Sequence, residues 1–116
     1  MTKISDIEKE RDRACDIIQD QINSATRMQN SGAQNLDDKI TALTQKQADI
    51  AAQAYAAALD DPAMTAALAA LQGATKKMTD TAAKMTTATA FIGNFNTFLA
   101  AANGIIPILQ GTGTTA

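Results

Sequence analysis

Apolar residues recur three or four positions apart along the first thirty residues, with charged and amide side chains between them. Helical geometry brings positions with this spacing onto one face, so the pattern predicts an amphipathic helix over residues 4–30. The polar stretch Asn30-Ser31-Gly32 follows, and glycine readily adopts the left-handed conformation that ends helices. The predicted buried stripe consists of eight residues: Ile4, Ile7, Ala14, Cys15, Ile18, Ile22, Ala25 and Met28.

A second helical pattern occupies residues 35–59. Asn35 stands where an N-cap is expected, and two aspartates follow in the first turn, where the helix dipole stabilises carboxylates. Beyond this segment, Asp61 can cap another helix, and Pro62 is well tolerated at the first helical position. The second and third helices are therefore expected to be antiparallel neighbours. The apolar face of the second helix comprises Leu36, Ile40, Leu43, Ile50, Ala54 and Ala57.

The clearest pattern is a heptad repeat in the second half of the chain. The residue three positions after each repeat member is small until Phe95, and small residues let a neighbouring helix approach closely. The repeat predicts one helix over residues 62–103, about 60 Å long against about 40 Å for each of the first two helices. Its members are Met64, Leu71, Met78, Met85, Ile92, Leu99 and Ile106.

These patterns predict an all-α protein. Three helices joined by short turns favour an elongated three-helix bundle, or a coiled-coil hairpin, with one long C-terminal helix. The chain is short enough to form a single helical domain, which we place at residues 1–110. A Gly/Thr-rich tail at residues 111–116 is predicted to be mobile.

Composition limits how strongly such helices can pack. Of the 116 residues, 25 are alanine, whereas aromatic residues make up only 3%. Alanine has the highest helix propensity but buries little area, so it contributes far less than the roughly 1.5–3 kcal/mol of a buried Leu or Ile. We therefore expect the isolated fold to be marginally stable, or to gain stability from association.

The residue types that carry most enzyme chemistry are missing or isolated. The chain has no histidine, the commonest general base and metal ligand. Its one cysteine, Cys15, falls at a core spacing and is expected to be a plain buried thiol. Asp12, Asp16 and Asp20 share one helix face without the Glu-x-x-His spacing of di-metal bundles, so a solvated charged face is expected. We therefore predict no enzyme activity, no cofactor and no metal site.

Charge limits the classes of partner and the location. The formal net charge is -2, and no Lys/Arg cluster is longer than Lys76-Lys77. Nucleic-acid binding needs a concentrated basic face, so no nucleic-acid partner is expected. The opening residues MTKISDIEKERDR are too charged for a signal peptide. The expected location is the cytoplasm, with export that cleaves no signal peptide as the alternative.

The segment after Lys84 differs from the rest because no charged residue occurs from Met85 to Ala116. Three interpretations stay open: a well-packed end of the bundle, a docking surface for a protein partner or a second copy, or a membrane contact. Gly93, Asn94 and Pro107 are unfavourable in a membrane-spanning helix. The predicted partner-binding residues are Phe91, Ile92, Phe95, Phe98, Leu99, Ile105, Ile106 and Leu109.

The length and the two opening helices with a short turn look like the small hairpin proteins that specialised bacterial secretion systems export. In their best-known class the turn carries Trp-x-Gly, where this chain has Asn30-Ser31-Gly32. A Tyr-x-x-x-Asp/Glu tail signal is also missing, because Leu59 stands four residues after Tyr55. The Ala/Thr/Gln-rich helices are similar in composition to granule-coating phasins. Neither likeness rests on a specific motif, so no family is assigned.

The sequence thus predicts a non-enzymatic helical interaction protein, such as an adaptor, an assembly component or a secretion-associated component. It is expected to dock a protein partner, or to self-associate into an oligomer, through the apolar end of the long third helix. The alternative is a membrane-active helical protein that inserts its uncharged C-terminal segment.

Overall fold

The computed structural model describes residues 4–53 and 61–110, and over these residues the chain forms helices joined by short turns, without a β-strand. This confirms the predicted all-α class. The predicted end of the second helix at Leu59 and the predicted mobile tail at 111–116 lie outside the described residues. The helices are α1 (Ile4–Asn30), α2 (Asp37–Ala51), α3 (Asp61–Ala82), α4 (Ala88–Asn103) and α5 (Ile105–Leu109).

Helix α1 has the predicted bounds, and its C-terminus is closed by two backbone hydrogen bonds. The Gly32 N–H donates to the Gln29 carbonyl at 2.9 Å, and the Ala33 N–H donates to the Met28 carbonyl at 2.9 Å. Gly32 has a φ of 107°, a conformation that is strained for a residue with a Cβ atom. The prediction that glycine ends this helix in the left-handed region is therefore confirmed.

Helix α2 begins two residues later than predicted, at Asp37. Asn35 is not its N-cap, since it adopts a φ of 67°, a left-handed conformation that Asn tolerates better than most residues. Leu36 occupies the cap position without a side-chain hydrogen bond, and its side chain is fully buried. The predicted Asn35 cap is wrong because the backbone turns at this residue and directs Leu36 into the core.

Side-chain hydrogen bonds set the position of α1 against α2. Arg11 Nη1 donates to the Gln53 carbonyl at 2.6 Å, which places a positive charge beside the C-terminal end of α2. One turn along α1, Gln47 Nε2 donates to the Cys15 carbonyl at 3.0 Å. These contacts hold the two helices side by side with their apolar faces turned to the core.

The third predicted helix is in fact two helices, so one continuous helix over 62–103 is wrong. Helix α3 ends at Ala82 and α4 starts at Ala88. Thr87 is extended, with φ -122° and ψ 163°, and its hydroxyl accepts the Ala90 N–H at 3.1 Å. In a continuous helix the Ala90 N–H would donate to a backbone carbonyl of the preceding turn. Here it donates to the Thr87 side chain instead, and a new helix starts. The chain therefore folds back, so that α4 packs along α3.

The heptad stripe faces the core only as far as the connection at residues 83–87. Beyond it the register changes, and the next repeat member, Ile92, is 43% exposed. The core positions of α4 and α5 lie four and three residues apart instead, which is again typical of one helix face. The buried repeat members in α3 and the connection are Met64, Leu71, Met78 and Met85. The buried residues of α4 are Phe91, Phe95, Phe98 and Ala102.

The four longer helices surround one apolar core. Helix α1 packs along α2 and α3, and α3 packs along α4, whereas α4 makes shorter contacts with α1 and α2. The molecule measures 50 × 22 × 20 Å along its principal axes. Helix α5 continues the direction of the chain through Gly104, which keeps a right-handed helical conformation, and it packs on α3, α4 and α2.

Candidate functional site

Most of the predicted partner-binding side chains lie in the core. The α3–α4 connection turns the aromatic stripe of α4 inwards, where it packs with α1, α2 and α3. The rings of Phe91 and Phe95 lie 6.2 Å apart between centroids, in a tilted arrangement. The buried members of the predicted set are Phe91, Phe95, Phe98, Ile105 and Leu109. These five cannot contact a partner while the fold stays closed.

The other three predicted residues lie at one edge of α4 and α5. Ile92 is exposed, while Leu99 and Ile106 are half-buried and pack partly against the core. Because they are seven residues apart, they share a side of the helix. The structure thus separates the predicted set into a buried stripe and an accessible edge.

A surface without charge continues from this edge across the outside of α4 and α5. We call it the neutral face, and it consists of Ile92, Gly93, Asn96, Ala100, Asn103 and Pro107, all exposed. Helix α1 offers a direct comparison, because ten of its 27 residues are charged. Both helices bury one stripe and expose the rest, yet only α1 exposes an ordinary charged surface.

The neutral face borders a shallow cleft between α3 and α4. Two adjoining hollows of about 430 and 360 Å³ lie along it, lined largely by small side chains. A Cβ atom added at Gly73 or Gly93 would meet nothing within 4 Å, so both glycines leave open space at the surface. Lys77 lines both hollows, and Asp80 borders the hollow nearer the α3–α4 connection. A helix could approach α3 and α4 closely along the remaining length.

The opposite border of α4 carries positive charge from α2. Lys39 Nζ lies 5.6 Å from the centroid of the Phe95 ring, a distance that permits a cation–π contact. The same ammonium group is 3.8 Å from a carboxylate oxygen of Asp38. The Lys39 stem thus covers part of the aromatic stripe, and charge borders the neutral face from α2 as well as from Lys77 and Asp80 of α3.

Helices α4 and α5 together meet a simple criterion for a membrane span. The 22 residues from Ala88 to Leu109 are long and apolar enough, by length and composition only, to cross a bilayer. The window that meets this criterion is 33% buried. A soluble core helix passes the same test, so the observation supports membrane contact only weakly.

The ionisable residues singled out in α1 lie at the surface or close to α2. Asp12, Asp16 and Asp20 are exposed, as expected of a solvated face. Within the described ranges, no three His, Cys, Asp or Glu residues lie together in a way that could hold a metal ion. Cys15 is half-buried, and its Sγ lies 3.7 Å from the Gln47 carbonyl oxygen.

A larger cleft, which we call the end cleft, lies where α1 and α3 finish and α4 begins. It has a volume of about 560 Å³, and Gln21, Arg27 and Met85 are among its lining residues. Gln21 occupies a core position of α1 and is 8% exposed. The apolar stripe predicted from the sequence did not include it. The sequence did indicate that Gln21 is unusual. It lies seven residues after Ala14 and seven before Met28, so a polar residue interrupts an apolar repeat.

The fold defines the chain as an all-α helical protein. No protein-family model matches it, and comparisons with curated proteins and with solved structures find no match. Its own surfaces therefore provide the basis for a functional proposal.

Proposed function

We propose that this chain is a non-enzymatic helical interaction protein that binds a protein partner, or a second copy of itself, through the neutral face of α4 and α5. The observation that supports this most directly is an exposed helix face that carries no charge. No charged residue follows Lys84 in the described part of the chain, although α4 leaves most of its surface outside the core. Within this face, the exposed side chain of Ile92 provides an apolar anchor.

Charge depletion favours a contact surface over a merely solvated one. Lys, Glu and Asp are depleted at the centres of protein interfaces, because burying an unpaired charge is costly. Polar side chains such as Asn96 and Asn103 can still form hydrogen bonds across an interface. The neutral face can thus be covered by another helix without leaving a buried charge.

A second copy is the simplest partner to test. Most homo-oligomers are closed and symmetric, with the same patch used on both subunits, so an uncharged face has no like-charge repulsion against its own copy. The low aromatic content of the core is a further reason to expect that association adds stability. If the partner is a different protein, the same face of α4 should still form the contact.

The test is the molar mass in solution, measured by light scattering across a concentration series. We expect the unchanged chain to self-associate and the Ile92→Lys, Ala100→Lys double variant to weaken association about a hundredfold, since like charges placed in a contact cost several kcal/mol. Both positions are exposed, and lysine is a good helix former, so helicity should be kept.

A matched control places the same charges elsewhere. Thr41 and Ala48 are exposed on α2 and lie seven residues apart, so Thr41→Lys with Ala48→Lys adds equal charge away from the neutral face. If the two double variants weaken association equally, the proposal is contradicted. If the unchanged chain is a monomer, photo-crosslinkers at positions 92 and 100, but not 41 and 48, should capture one defined protein in the source cell. Equal crosslinking from positions 92 and 100 and from positions 41 and 48 would exclude binding of a different protein to the neutral face as well.

Substitutions in the buried stripe of α4 are unsuitable for this test. Aspartate at Phe95 and Leu99 would place a charge at a residue that is 7% exposed, and would unfold the core before it reported on association. The lysine pair instead alters only side chains that already face solvent.

A membrane-active protein is the second candidate. The observation that favours it is the 22-residue stretch from Ala88 to Leu109, apolar enough to cross a bilayer by composition. In this alternative α4 and α5 leave the other helices and insert, with the α3–α4 connection as the hinge.

A further inference from the structure

The end cleft shares no lining residue with the neutral face and combines apolar and polar walls. Met28 and Met85 supply apolar surface, while Ser24, Ser31 and Thr86 supply hydroxyl groups. Its volume of about 560 Å³ falls within the roughly 300–1,000 Å³ usual for small-molecule sites. The cleft is thus large enough for a ligand with an apolar body and polar ends.

One wall of the cleft contains a buried polar group without a partner. Gln21 lines the cleft, is 8% exposed, and its Oε1 atom has no hydrogen-bond partner among the described residues. Leaving a buried acceptor unpaired is unfavourable, because its lost hydrogen bonds to water are not replaced. The last side-chain torsion of Gln is broad, so the amide can turn its oxygen toward the cleft. An N–H or O–H group of a ligand would then supply the missing donor.

The electrostatics of the cleft favour an anion. Arg27 is the one charged residue among the described residues that line it. Its Nη2 donates to Ser24 Oγ at 3.1 Å, which uses one of the five guanidinium donors. Ala88, the first residue of α4, also lines the cleft, and the positive end of a helix dipole attracts negative charge. The Arg27 guanidinium group and the N-terminal end of α4 thus both attract an anion.

We propose that the end cleft binds a small organic carboxylate with an apolar body and a hydrogen-bond donor. The carboxylate pairs with Arg27 near the start of α4, the apolar body packs between Met28 and Met85, and the donor reaches Gln21. This site is independent of the neutral face, so the proposed function can fail without affecting it.

The test is a ¹H–¹⁵N chemical-shift titration of the full chain with three matched probes. Indole-3-propionate has the ring, the N–H and the carboxylate, indole-3-propionamide lacks the charge, and benzothiophene-3-propionate lacks the N–H. We expect saturable binding of the first probe below about 1 mM, with shifts centred on residues such as Ser31 and Thr86. The other two probes should bind roughly tenfold more weakly, because each loses one polar contact.

Two variants assign the contacts. Arg27→Gln should remove the preference for the acid over the amide, and Gln21→Leu should remove the preference for indole over benzothiophene. Arg13→Gln is the control, since Arg13 lies on the same helix, its side chain is 63% exposed, and it does not line the cleft. Arg27 is exposed, so its variant remains informative if Gln21→Leu does not fold. Equal binding of the three probes, or an acid preference that survives Arg27→Gln, would overturn the proposal.

Discussion

The environment of Cys15 makes its thiol a poor nucleophile. Burial raises the pKa of this thiol above its ordinary value, and the negative charge of Asp12 raises it further, while Arg11 acts in the opposite direction. The thiolate is the reactive form, so a raised pKa lowers reactivity at neutral pH. Cys15 was expected to be a buried thiol, whereas in the structure it is half-buried, packs against the core and donates a weak hydrogen bond to the Gln47 carbonyl.

We expect iodoacetamide to modify Cys15 more slowly at pH 8 in the folded chain than in the same chain unfolded in urea. The folded thiol holds its proton to higher pH than the unfolded thiol, so its contribution to stability is complete below the unfolded pKa. That contribution is lost as the pH rises through the folded pKa. A pH–rate profile measured in both states checks this, with free cysteine as the reference. Equal or faster modification of the folded chain would contradict it.

The predicted partner-binding residues show that a residue's type alone does not tell whether its side chain is buried or exposed. Phe91 and Ile92 are neighbours in an uncharged apolar segment, and hydropathy alone does not distinguish them. In the structure one is fully buried and the other is 43% exposed, because the direction of a side chain depends on the phase of its helix. The sequence therefore identified the unusual segment, but it could not divide that segment into core and surface.

At the scale of elements, spacing counted in residues misled the prediction for the third helix. Met85 and Ile92 keep the seven-residue interval, although the residues between Ala82 and Ala88 are not all helical. Helical phase advances by about 100° per residue only while the chain stays helical. The available signal was the pair Thr86-Thr87, since threonine is a good N-cap and a modest helix former. Helix α1 has uninterrupted periodicity and a terminal glycine, and its predicted bounds are correct.

The contribution of the Thr87 cap to stability can be measured by substitution. Thr87→Ala removes the acceptor of the Ala90 N–H and should lower the free energy of unfolding by about 1 kcal/mol. Thr89→Ala is the control. Thr89 is exposed and lies two residues after Thr87, so this substitution removes a threonine hydroxyl without removing the cap. Urea unfolding followed by circular dichroism compares the two. If both variants lose the same stability, the cap does not hold the start of α4.

At the scale of the whole molecule, charge is unevenly distributed among the helices. Charged residues lie on α1, on α2, at the first residue and in the C-terminal half of α3, and at Lys84, whereas residues 62–75 and 85–110 carry none. Because α3 and α4 pack together, their uncharged parts meet on one side of the molecule, around Ala70, Ala100 and Gly104, where Lys77 is the one charged residue of the described lining. One side is thus well suited to water, and the other is suited to contact with a protein or, after opening, with lipid.

The energetics of opening favour a protein contact over insertion. Moving α4 and α5 into a bilayer would expose to water the buried residues of α1 to α3 that they cover, at roughly 1.5–3 kcal/mol for each large apolar side chain. It would also place the side-chain amides of the three asparagines of α4 in hydrocarbon, where an uncompensated amide costs several kcal/mol. Asn94 is compensated in part, since its Nδ2 donates to the Ala90 carbonyl at 2.9 Å, but Asn96 and Asn103 face outwards.

We therefore expect the folded chain to remain unbound when it is floated with phosphatidylcholine vesicles, with or without phosphatidylglycerol, at neutral pH. The Ile92→Lys, Ala100→Lys double variant should behave identically there, because in our proposal its lysines disturb a protein contact and not a lipid contact. A lipid-bound fraction of the unchanged chain that this variant abolishes, and that the Thr41→Lys, Ala48→Lys control retains, would instead assign the neutral face to the membrane. Circular dichroism of any bound fraction would then show whether helices α1 to α3 survive the opening.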